Sequence, residues 1–160
     1  MHLLSLTALV LAASAVAMPF SAAENQRPQW LFVQAASSTE LLDDRTLHIP
    51  VEREIFAFTD RPAREHRYLN AHEFVALWSE GADNFAHNPP NAVLSWSEDG
   101  HVQEVELELL GAEVVSHGRA IQYEISIEEV DALAEISEDA ALYIDGHWFG
   151  DGNRQNIYYD

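Results

Sequence analysis

Lysine and cysteine are both missing from the 160 residues, and all eight basic positions are arginine. Without lysine there is no P-loop lysine, no Schiff-base or pyridoxal-phosphate lysine, and no kinase-type ATP lysine. Without cysteine there is no thiol nucleophile, disulfide, iron–sulfur cluster, thioether-bound haem or Cys-ligated zinc. Positive charge is scarce too: 27 Asp and Glu against eight Arg give a formal charge of −19. Bulk electrostatics therefore exclude nucleic acid and anionic membrane surfaces as partners.

Formal charge is absent from the first 23 residues, where Leu3 to Ala17 is an apolar run, Pro19 breaks it, and Ser21-Ala22-Ala23 offers small residues for cleavage. This predicts a signal peptide over residues 1–23, cut before Glu24, and a periplasmic or secreted protein. The n-region departs from the usual pattern in carrying His2 rather than Lys or Arg. The run is short against the roughly 20 residues a bilayer needs, so no stable membrane insertion is expected after cleavage. Residues 24–160 are expected to form a single β-rich domain with a hydrophobic core, held by packing alone because disulfides are impossible.

Acids are unevenly spread. Residues 24–97 carry 11 acids and six Arg, whereas residues 98–160 carry 16 acids and two Arg. Many of these acids sit at every second position of strand-like segments, which reads as a solvated acidic surface suited to high salt.

Period-two alternation dominates the rest of the chain. Strands are predicted at Trp30–Ala35, Thr46–Ile49 and Glu54–Thr59; the last is apolar on both faces and so expected to be central. Asn91–Ser97 leads into Asp99-Gly100, a two-residue hairpin turn. Beyond it Val105, Leu107 and Leu109 face one way and Glu104, Glu106 and Glu108 the other. Ser116-His117-Gly118 marks a second hairpin, followed by Ile121, Tyr123, Ile125 and Ile127 on one face. Leu142-Tyr143-Ile144 is a last short strand. One helix is signalled over residues 71–80, with Asn70 as N-cap, Glu73 completing a capping box, and Gly81 as the stop. A weaker helical turn is read from Glu128 to Ile136. The expected fold is mainly β: an antiparallel β-sandwich or open barrel of about seven strands with one short α-helix.

Four segments carry candidate chemistry. In the first, Asp60, Arg61, Arg64 and Arg67 form a locally positive stretch on an acidic chain, and guanidinium groups there could grip a carboxylate, phosphate or sulfate. The competing reading is that these Arg pair with neighbouring acids and pin a loop. In the second, Phe85 to Ala92, Asn88 and Asn91 could line a site or cap local backbone. The combination Phe58-Thr59-Asp60-Arg61-Pro62, Glu73-Phe74-Val75, Trp78, Phe85 and Pro89-Pro90-Asn91-Ala92-Val93-Leu94-Ser95 resembles a family of small exported bacterial proteins with no assigned function. The resemblance implies export and a β-rich domain, and it transfers no catalytic residue. In the third, His66 and His72 could contribute to a transition-metal site, although their spacing matches no ligand motif. In the fourth, Asp145, Asp151 and Asn153 are calcium-like in type but lack EF-hand spacing.

No nucleophile elbow and no placed carboxylate pair is present. The sequence therefore points to an exported, non-enzymatic domain that binds a partner protein or a small anionic ligand at the Arg-rich loop. The alternatives are a protein binding calcium or a transition metal, or a small periplasmic hydrolase. No catalytic residue and no obligatory cofactor is assigned; calcium is a candidate ion beside the transition metal.

Overall fold

The computed structural model describes residues 29–82, 84–128, 133 and 136–146. The expected signal peptide, Asp151, Asn153 and most of the weaker helical turn lie outside the described residues. Alternating apolar and polar side chains become eight strands: β1 (Trp30–Asp43), β2 (Thr46–Pro50), β3 (Ile55–Thr59), β4 (His66–Leu69), β5 (Asn91–Glu98), β6 (His101–Val115), β7 (Ala120–Ser126) and β8 (Ile136–Gly146). All pair antiparallel, in the order β2-β7-β6-β5-β8-β1-β3-β4. Among the described residues the chain adopts the expected mainly antiparallel architecture with a single short helix.

The ladder also returns on itself. β1 is long enough to serve two neighbours along one edge: its first residues pair with β3, and its last residues pair with β2 (Glu40 with His48, Leu41 with Leu47). Six strands thus form a circuit, β1-β2-β7-β6-β5-β8, with the β3–β4 hairpin attached outside it. Closure leaves few edges to protect. Among the described strands, β4 has a single partner.

Turn chemistry fixes the register. Asp99 (φ 51°) and Gly100 (φ 78°) both adopt the left-handed conformation that a type I′ turn demands, and β5 and β6 leave the turn with Glu98 opposite His101. The inward side chains make a continuous core: Phe32, Leu47, Ile49, Ile55, Leu94, Leu109, Ile121, Tyr123, Ile125, Leu142 and Ile144 are all fully buried. Each such side chain contributes on the order of 1.5–3 kcal/mol by leaving water.

The helix closes one end of this core. α1 (Ala71–Val75) begins with the predicted capping box: Asn70 accepts from the amides of His72 and Glu73, and Glu73 accepts from the Asn70 amide. It tightens into a 3-10 turn over Ala76–Trp78 before Gly81, so the α-helical part is shorter than the expected 71–80. Its buried face brings Phe74 against Phe32 (centroids 5.4 Å apart) and Trp78 against Phe85 (5.0 Å). The Trp78 indole donates to the Leu109 carbonyl, and the buried Tyr123 hydroxyl donates to Gln34.

Two expectations require correction. β3 is not central; it lies next to the terminal strand β4. Residues 66–69, read as part of a loop, are that terminal strand. β3 is apolar on its second face for a different reason, which the outer surface supplies.

Candidate binding face

Pairing registers line up the outward side chains in rows. One row runs His66, Phe58, Leu31, Asp145, Asn91, Glu108 and Ser126, from β4 across to β7. The next runs Tyr68, Phe56, Val33, Tyr143, Val93 and Glu106. The second row is apolar from Phe56 to Val93, and the first adds Phe58 and Leu31 before it turns polar at Asp145. Phe56 stacks on Phe58 (5.5 Å between centroids) and touches Tyr68 (5.2 Å). Tyr68 is 55% exposed and Tyr143 49% exposed, which is unusual for two aromatic side chains in one row of a sheet.

Toward β6 this face becomes a groove of about 920 Å³. Leu31, Val93 and Tyr143 supply its apolar surface, Ile127 adds to it, and Glu104, Glu106, Glu108, Glu128 and Asp145 supply the carboxylates. Asp145 accepts a hydrogen bond from the Gln29 amide at 2.6 Å. Among the described residues the one ion pair is Arg45–Glu124, elsewhere on the surface, so none of the groove's carboxylates has a described cationic partner.

The residues singled out from the sequence are spread over this face and beyond it. Arg61 and Arg64 lie in the exposed β3–β4 loop, where the Asp60 carboxylate accepts from the Arg61 amide at 2.6 Å. Neither guanidinium joins a described ion pair. Arg67 belongs to β4 and pairs with the buried Ala57, and its guanidinium carbon stands 5.5 Å from the centre of the Trp30 ring. A three-guanidinium fork would require Arg67 to leave that ring. Asn91 begins β5, four strand spacings from His66, roughly 19 Å at the usual interstrand distance. It therefore belongs with Asp145 and Glu108 in the groove and not with the Arg loop.

The metal candidates are also separated. His66 is on the outer face against Phe56, whereas the His72 ring lies near Gly118 at the β6–β7 turn. Asp145 is three strand spacings from His66, about 14 Å. Among the described residues no three His, Asp or Glu side chains are grouped to hold a metal ion. His87 makes a 2.8 Å contact with Asn84 through Nδ1.

The groove was not anticipated. Its apolar signals were present as Leu31, Val93 and Tyr143 at outward positions, but they come from three strands, β1, β5 and β8, and converge only through pairing. Comparison with family models, curated proteins and solved structures gave no match.

Proposed function

We propose that the chain is an exported, non-catalytic recognition domain that receives its partner on the outer face formed by β4, β3, β1, β8, β5 and β6. The observation that carries this reading is the continuous apolar and aromatic patch at the middle of that face, running into the groove beside β6. An exposed patch of linked aromatic and aliphatic side chains costs solubility, and monomers rarely keep one that no partner covers. Export rests on the uncharged leading segment and on the resemblance given above.

A photo-crosslinking amino acid placed at Tyr143 in the producing cell tests the reading. A discrete adduct is expected there and not from the same residue at His117, which is exposed at the β6–β7 turn, outside the groove. No adduct at 143, or equal adducts at both positions, would sink it.

A second reading is favoured by Arg61 and Arg64, which are exposed and outside any described ion pair. A small anion held between them would protect the β3–β4 loop from proteolysis. Phosphate or sulfate that leaves the cleavage rate unchanged at matched ionic strength removes this reading.

A further inference from the structure

We infer that the occupant of the groove is an extended, cationic segment of another protein, with Arg or Lys alternating with apolar residues. This rests on the recognition reading above and specifies its partner. The argument is charge complementarity over an apolar surface. Glu104, Glu106 and Glu108 project in one direction from alternate positions of β6, so consecutive carboxylates stand about 7 Å apart along the strand. An extended peptide presents every second side chain to one side with the same repeat. Lys or Arg at those positions would meet the carboxylates in register.

Leu31, Val93 and Tyr143 lie beside that acidic row, within the same groove. They supply what a purely acidic surface lacks, a dry contact for the segment's apolar side chains and a ring face for a cation. Within the described chain these carboxylates have no cationic partner, so a partner's cations would replace water and not an existing ion pair. A second copy fits poorly as occupant, because each copy carries a formal charge of −19. Along β6 the three carboxylates span about 14 Å, which an extended segment of about six residues running parallel to that strand would cover with three cations at alternate positions.

The test uses the full chain and three amidated hexapeptides alternating Arg with Leu, Arg with Gly, and Glu with Leu. Isothermal calorimetry should show one-to-one binding of the Arg–Leu peptide that weakens as salt rises. The Arg–Gly peptide should bind about tenfold more weakly, and the Glu–Leu peptide not at all. The triple variant Glu104→Gln, Glu106→Gln, Glu108→Gln and the single variant Tyr143→Ala should each lose about tenfold, with unchanged circular dichroism. A control triple, Glu80→Gln, Glu98→Gln, Glu113→Gln, lowers the net charge equally and should retain binding.

The inference is overturned if the Arg–Leu peptide does not bind, if the control triple weakens binding as much as the groove triple, or if the Arg–Gly peptide binds as tightly. An adduct at position 143 to a neutral or acidic partner, or to a second copy, would also overturn it while leaving the recognition reading intact. Absence of any adduct removes the recognition reading itself.

Discussion

Tyr123 and Gly146 show how strongly single positions are constrained. The Tyr123 hydroxyl is buried and bonded to Gln34, and burial pushes its pKa well above the ordinary 10.0. Because the folded state holds this proton more tightly than the unfolded chain, its contribution is complete below pH 10.0 and fades as pH rises above it. Replacing Tyr123→Phe should cost about 1–2 kcal/mol at neutral pH, read from the urea midpoint, because Gln34 loses its donor. The same variant should also show a flatter loss of stability in strong base. Gly146 has no room for a side chain: a Cβ there would fall 2.6 Å from Phe85 Cζ and 3.1 Å from Phe32 Cε2. Gly146→Ala should destabilise by about 1–3 kcal/mol through overpacking, and an unchanged urea midpoint would refute that contact. Neither constraint was legible beforehand. Gln34 and Tyr123 stand 89 positions apart, and Gly146 is distant in sequence from both Phe32 and Phe85.

Among the elements, α1 and the β1–β2 turn offer cleaner tests. Asn70→Ala removes the acceptor for two helix amides and should cost about 1 kcal/mol by chemical denaturation. In the β1–β2 turn, Asp43 accepts from the Arg45 amide and the Thr46 hydroxyl, and these bonds, the Arg45 amide first, hold its carboxyl below the ordinary 3.8. Its contribution is present above 3.8 and is lost as pH falls through the lower folded value. Asp43→Asn should therefore flatten the acid limb of the stability profile; an unchanged limb would show that the turn is not the acid-sensitive element. The capping box, the Asp99-Gly100 turn and the alternation of β6 and β7 were readable because local rules determine them. β4 was not, since His-Arg-Tyr-Leu carries no alternation of its own and becomes a strand by pairing with β3. The groove was hidden for the same reason at larger range: its apolar residues meet through registers between β1, β8 and β5 that no local pattern encodes. Arg61, Arg64 and Arg67 were legible as an unusual composition, but strand parity turns Arg67 toward Trp30.

The described residues form a six-strand circuit with a hairpin attached, in a chain whose formal charge is −19. The Arg45–Glu124 pair is exposed on both sides and offsets little of the mutual repulsion among the acids. Screening should therefore raise the thermal midpoint markedly between low and molar salt, and a flat response would argue that the acids are too dispersed to matter. The order of assembly follows from the same circuit. β8, the last described strand, lies between β1 and β5, and it makes the longest ladder in the sheet with the first strand, from Trp30–Gly146 to Glu40–Ile136. A ribosome that has not yet released residue 146 therefore cannot yield a closed sheet, however much of the preceding chain has emerged. Synthesis alone thus holds back the final topology until residue 146 has emerged.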